Sequence, residues 1–123
     1  MLQVTPHMRV LVCVQPVDFR KGIDAIAAIC RNLLKEDPHN GTLFLFRNRS
    51  RCSLRILMYD EQGFWLSTKR LSRGKFPWWS TSTSESVDIP SWALQTLLSN
   101  GNPSTAGFGK EWRKLPISSI MHA

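Results

Sequence analysis

Three strand-length runs follow one another closely in the middle of the chain, at residues 42–47, 53–60 and 64–71. The connections between them are too short to hold a crossover helix, so the runs must fold back as an antiparallel meander. The second connection also suggests a register. A three-residue loop, Glu61-Gln62-Gly63, places Gly63 where the backbone needs a positive φ. Met58 then faces Leu66, Ile56 faces Thr68 and Arg55 faces Lys69. Leu54, Ile56, Met58, Phe64 and Leu66 share one face as a core surface, and Arg55, Leu57, Tyr59, Trp65, Ser67 and Lys69 occupy the other.

The flanking segments supply the rest of an α+β fold. Residues 9–14 are almost wholly apolar and read as a short central strand ended by Pro16. From Phe19 the pattern becomes helical. Ile23, Ile26, Ala27, Cys30, Leu33 and Leu34 make one continuous apolar stripe, with Asp18 as the N-cap and Arg31 and Lys35 near the C-terminal end of the dipole. Asp37-Pro38 stops this helix and Asn40-Gly41 turns the chain. Residues 80–86 are nearly all Ser and Thr and read as a loop. Pro90 then opens a short closing helix carrying Trp92, Leu94, Leu97 and Leu98. The reading is one α+β domain over residues 1–101: strand, helix, a meander of three or four strands and a short helix. Residues 102–123, rich in Gly, Ser and Pro, read as a poorly ordered tail. The first helix should cover the apolar sheet face and leave the Arg- and Trp-bearing face open.

The formal net charge is +7, and nearly all of it lies between residues 47 and 75. Arg47, Arg49, Arg51, Arg55, Lys69, Arg70, Arg73 and Lys75 stand there against only Asp60 and Glu61. Charge of one sign focused on one region concentrates and steers a polyanion. Tyr59, Phe64, Trp65, Phe76, Trp78 and Trp79 interleave with it, and aromatic faces beside Arg favour nucleic-acid bases. Phe44, Phe46, Phe64 and Phe76 are needed to fill a core this small, which leaves Trp65 and one of Trp78 and Trp79 for a surface. Arg20-Lys21-Gly22, at a helix N-terminus, suits a phosphate; equally, Arg20 and Lys21 can pair with Asp18 and Asp24.

Other classes fit poorly. Cys13, Cys30 and Cys52 are odd in number and widely spaced, and His7, His39 and His122 are scattered. This pattern gives neither a disulfide framework nor metal-ligand spacing, so no metal or cofactor is expected. Cys13 and Cys30 read as small core residues in a reducing cytoplasm. The carboxylates do not gather on adjacent strands, as two-metal chemistry requires, and the serines lie in a linker, so no catalytic residues and no small-molecule substrate are expected. No apolar run approaches the roughly 20 residues of a spanning helix. Arg9 interrupts the N-terminal apolar stretch too early for a signal segment.

The ordered set Pro16-Val17-Asp18-Phe19-Arg20-Lys21-Gly22, Gly41-Thr42-Leu43-Phe44-Leu45-Phe46-Arg47-Asn48-Arg49 and Leu54-Arg55-Ile56-Leu57-Met58-Tyr59-Asp60 carries a resemblance. It continues through Gly63-Phe64, Lys69-Arg70-Leu71, Gly74, Phe76 and Trp78. Over roughly residues 5–100 this resembles the TnpB-type accessory protein of bacterial insertion sequences of the IS-sixty-six class. The resemblance implies a role in transposition beside a separate transposase that performs the strand chemistry. Tyr59 stands where that family usually has Trp, Arg55 where Lys is common, and Pro90 where Ser or Thr would cap the last helix. The last departure points to capping through Asp88.

Together these readings give a non-catalytic accessory protein that binds element DNA through a basic, Trp-bearing sheet face. Arg47, Arg49, Arg51, Arg55, Lys69, Arg70, Arg73 and Lys75 would contact phosphates, Arg20 and Lys21 would hold one more, and Trp65 or Trp79 would stack. The rival is an interaction module that docks on the transposase or a sister accessory subunit, with the cations against an acidic patch and an exposed Trp as anchor.

Overall fold

A computed structural model of the chain describes residues 7–77 and 79–99. Trp78 and the expected tail from residue 102 lie outside them. The elements are β1 (Val10–Cys13), α1 (Ile23–Asn32), β2 (Leu43–Arg47), β3 (Ser53–Tyr59), β4 (Phe64–Arg70), β5 (Ser86–Ile89) and α2 (Ser91–Leu98). They build one mixed sheet of order β4-β3-β2-β1-β5. The α+β class and the β2-β3-β4 meander stand as the sequence implies. The crossover through α1 makes β1 parallel to β2, and β5 runs antiparallel along the other side of β1.

Two layers, not one, cover this sheet. Leu11, Cys13, Phe44, Phe46 and Leu57 pack under α1 with Ile26, Ala27, Cys30 and Leu34. On the other face Val10, Val12, Leu43, Leu45, Leu54 and Ile56 pack against Phe76, Trp79 and the Ala93, Leu94 and Leu97 side of α2. The unbroken apolar runs of β1 and β2 follow from this, because a strand buried on both faces has no polar side to alternate. Each fully buried Leu or Phe contributes about 1.5–3 kcal/mol relative to exposure. The expected open sheet face therefore does not exist over the central strands.

The β3-β4 register differs by one residue from the expected one. Tyr59 pairs with Phe64, Leu57 with Leu66, Arg55 with Thr68 and Leu54 with Lys69. The cause lies in the turn. The Asp60 carboxylate accepts the Gln62 and Gly63 backbone N–H groups at 3.1 and 3.2 Å, and Glu61, with φ 83°, takes the left-handed position instead of Gly63. Asp60 thus begins a four-residue loop, a side-chain-closed turn of the kind Asp favours. The slip sends Phe64 and Leu66 to the α1 face with Arg55, Leu57 and Tyr59, and it separates Arg55 from Lys69.

Smaller corrections follow the same logic. Gly22, not Asp18, precedes the first helix, and Asp18 instead accepts the Arg20 backbone N–H at 3.0 Å. The helix ends at Asn32, and of the expected stripe Ile26, Ala27, Cys30 and Leu34 are buried while Ile23 and Leu33 are exposed. The Ser/Thr stretch gives way at Ser86 to β5, where Val87 and Ile89 are buried. Asp88 does not cap α2: Pro90 precedes it without a side-chain cap, and the Asp88 carboxylate is held by Arg9.

Candidate nucleic-acid interface

Strand direction sorts the charges to the two ends of the sheet. The C-terminal ends of β1, β2 and β4, with the start of α1, bring residues 14–22, 47–53 and 70–76 to one end. Backbone hydrogen bonds join these three segments around the β2-β3 turn. Val17 N–H donates to Arg47 O at 2.9 Å, Leu71 N–H to Cys52 O at 2.8 Å and Phe76 N–H to Arg51 O at 2.8 Å. The turn is closed internally as well. Arg51 N–H donates to Asn48 O, and the Asn48 Oδ1 accepts the Ser53 N–H. Asn48 therefore shapes the turn.

Around this framework stand Arg20, Lys21, Arg47, Arg49, Arg51, Arg70, Arg73 and Lys75, with Lys69 one residue away. Phe76 is wholly buried in the core, so it fixes the bend carrying Arg73 and Lys75 against the hairpin. Gly74, at φ 73°, allows that bend at a position where a side chain would be strained. Between residues 16–20 and 48–50 runs an open groove of about 720 Å³, with Arg20 on one lip and Arg49 on the other. Arg20 lies fully at the surface and is ion-paired to Asp18 at 2.8 Å, which holds the Asp18 carboxyl down at about 2. An exposed pair of this kind is worth little and yields readily to a phosphate.

Several expected contacts are engaged within the fold or lie elsewhere. Arg55 turns toward the α1 side. Its Nη1 donates to Phe19 O at 2.8 Å and Lys21 O at 3.3 Å, its Nε donates to Thr68 Oγ1 at 2.9 Å, and its guanidinium lies 4.6 Å from the Phe19 ring centre. It ties residues 19–21 to the sheet. Lys69 donates to Leu98 O at the C-terminal end of α2, where a cation complements the dipole. Trp79 is buried, with Nε1 donating to Cys13 O at 3.2 Å, so it offers no stacking face. Trp65 is exposed, but it lies near the start of β4 at the opposite end, where its Nε1 donates to Asp60 Oδ2 at 2.5 Å. Trp65, the exposed Trp among the described residues, is thus far from the cations.

Sequence reasoning passed over Cys52. Its sulfur sits in the basic turn and receives contacts from Ser50 Oγ at 3.1 Å and Asn48 Nδ2 at 3.2 Å. Those hydrogen bonds, helped by the Arg70 charge, bring the thiol down to about 7. The N-x-S-x-C spacing in a tight turn was the available signal. Cys13 and Cys30 are buried, as expected, and burial pushes their thiols up to about 11 and about 12.

The far end has another character. Arg9 bridges Glu36 and Asp88, each at 2.8 Å, and Asp37 meets His39 at 3.3 Å. His39, Tyr59 and Phe64 form a ring cluster with centroids 4.8–5.1 Å apart. Among the described residues no His, Cys, Asp and Glu side chains group as metal ligands, and no helix is long and apolar enough to cross a membrane.

The family model described as IS66 Orf2 like protein matches residues 8–106. The chain is 42% identical over 69 residues to uncharacterized protein y4jC of Sinorhizobium fredii, covering 56% of this chain and 59% of that one. It is 40% identical over 78 residues to uncharacterized protein y4hO of the same organism, covering 63% of this chain and 68% of that one. No solved structure matches the chain.

Proposed function

The chain belongs to the IS66 Orf2-like family, and from that premise we propose that it is a non-catalytic accessory protein of DNA transposition that binds element DNA through its basic end. A transposition-associated accessory role follows from the family; the ligand and the surface are our reading. The observation that carries it is the gathering of Arg20, Lys21, Arg47, Arg49, Arg51, Arg70, Arg73 and Lys75 around one hydrogen-bonded turn. Cations on a preorganised framework lose little freedom on meeting phosphates, and each contact releases counterions from the nucleic acid. The basic end takes the place of the sheet face expected from sequence, and Arg55, Lys69 and Trp79 leave the set of DNA contacts. The protein would act in the cytoplasm beside the transposase.

The reading is tested by electrophoretic shift with terminal-repeat DNA, scrambled duplex and single strand over a salt range. Binding that weakens steeply with salt supports it. A salt-insensitive interaction, or no shift at low salt, removes it.

Trp65 favours a second reading for a different part of the molecule. It is 42% exposed on β4, an edge strand among the described residues, and an aromatic there is a suitable anchor for a protein such as the transposase or a sister accessory subunit. Because the two features lie at opposite ends, separate substitutions distinguish them.

A further inference from the structure

We propose that Arg47 is the seat of a nucleic-acid phosphate, the one cation of the basic end that is built into the fold to receive an anion. This rests on the DNA reading above and goes beyond it by separating one specific contact from a diffuse field. Arg47 ends β2 and is half-buried at the base of the turn, opposite Leu54. Its Nε is buried without a hydrogen-bond partner. Among the described residues its Nη1 reaches only the Asn48 and Arg49 carbonyls, both at 3.4 Å, the outer limit for such bonds. No carboxylate lies within ion-pair distance among the described residues. Arg49 and Arg51 stand beside it instead, and they add to burial in lowering its affinity for a proton.

Arg55 shows what a structural arginine looks like in this same fold. Its guanidinium is met by two carbonyls, a hydroxyl and a ring face. Arg47 has the cost of partial desolvation and like-charge neighbours with little to compensate it. A phosphate oxygen pair meeting the two Nη groups would supply the missing counter-charge in a two-pronged contact, although the buried Nε itself stays out of its reach. The turn that holds it is already closed by the Asn48, Ser53 and Phe76 hydrogen bonds, so no ordering is needed on binding.

The test compares wild type, Arg47→Met and Arg47→Lys by thermal melting and by titration with a short duplex DNA. Melting is measured in sodium phosphate and in sodium chloride of equal ionic strength. The inference expects Arg47→Met to melt at or above the wild-type midpoint without ligand, because it removes an uncompensated charge. It expects duplex affinity to fall by about tenfold or more, and the extra midpoint given by phosphate over chloride to vanish. Arg47→Lys keeps the charge without the fork, so it should fold like wild type yet lose most of the phosphate effect. That variant keeps the test decisive if Met is not tolerated. Variants that bind duplex within twofold of wild type, or an Arg47→Met midpoint that drops while affinity holds, would make Arg47 a structural residue and overturn the inference. If wild type shifts no duplex at all, the DNA reading falls, and the phosphate-against-chloride comparison decides the Arg47 seat alone.

Discussion

At one end of the sheet Arg9 sits between Glu36 and Asp88, each at 2.8 Å. At the other, Arg47, Arg49, Arg51, Arg70, Arg73 and Lys75 have no carboxylate within ion-pair distance among the described residues. The residue types are the same and their situations are opposite. At the far end charge is spent inside the molecule, where Arg9 joins the chain preceding β1 to the α1-β2 connection and to β5. At the basic end backbone hydrogen bonds and Arg55 do the joining, and apart from Arg20, paired to Asp18, the cations are left unneutralised. A fold that stitches its loops through the main chain keeps its cations free for an outside anion.

Removing charge from each end in turn should give the largest difference. Four to six phosphate contacts predict a log–log salt slope of roughly −4 to −5 on duplex. Replacing Arg49, Arg51 and Arg73 together with Ala should flatten that slope by roughly 2–3, with the melting midpoint nearly unchanged. The matching removal of Arg31 and Lys35, cations at the far end, should leave the slope as it was. Equal losses from both ends would mean that the field of the whole protein binds DNA and that the two ends do not differ in function.

Stability should show the reverse partition between arginines. Arg55→Ala leaves the Phe19 and Lys21 carbonyls without their donor and removes the cation from the Phe19 ring, a loss of about 2 kcal/mol. Arg9→Ala breaks two surface ion pairs that salt screens, a loss of about 1 kcal/mol at most. Urea unfolding at low and high salt checks both, and only the Arg9 effect should shrink as salt rises. An Arg55 variant as stable as wild type would detach residues 19–21 from the account of how the basic end is held.

A third prediction concerns the thiols. Hydrogen bonds from Ser50 first, then Asn48, bring Cys52 down to about 7 from an ordinary value near 9. A group with a lowered folded pKa contributes stability above its unfolded pKa, and that contribution fades as pH falls from 9 through 7. Iodoacetamide should therefore modify Cys52 with a rate that is half-maximal near pH 7, while buried Cys13 and Cys30 stay inert until the protein unfolds. Ser50→Ala should move the midpoint upward. A midpoint that stays near 9 in wild type would mean the turn is open in solution, and the framework argued for the basic end would go with it.

What could be read from the residues was the class, the meander and the cluster of charge. Their legibility has a cause, since apolar periodicity and short connections act locally. The placement of the charge was not legible, because a single parity error in the β3-β4 loop reverses every side chain beyond it. The fault lay in assigning the left-handed position to Gly63 by residue type, when Asp60 closes the turn through its own carboxylate and Glu61 adopts φ 83°. One signal did argue against an open face. Leu43-Phe44-Leu45-Phe46 is apolar at every position, and Leu43 and Leu45 need a cover as much as Phe44 and Phe46 do. That the cover would be Phe76, Trp79 and α2 depends on contacts far apart in sequence, which no local pattern announces.

The smallest expected effect is the one that most sharpens the contrast between the ends. Trp65→Ala should change duplex affinity by no more than about twofold, because Trp65 lies near the start of β4 and the cations gather where β4 finishes. Trp65 is the second residue of β4 and Arg70 the last, so steps of about 3.3 Å separate the two by roughly 16 Å, beyond the Debye length of about 8 Å at physiological salt. The indole is also held by its hydrogen bond to Asp60, and a carboxylate at that spot repels phosphate. Base–aromatic stacking is worth about 1–3 kcal/mol per base by alanine substitution. A stacking role would therefore appear as a loss of roughly fivefold or more, concentrated on single strands. That outcome would return the free aromatic to the DNA surface and extend binding along the β4 edge. Unchanged DNA affinity, with loss of association to the transposase in the same variant, would instead assign the two ends to two partners.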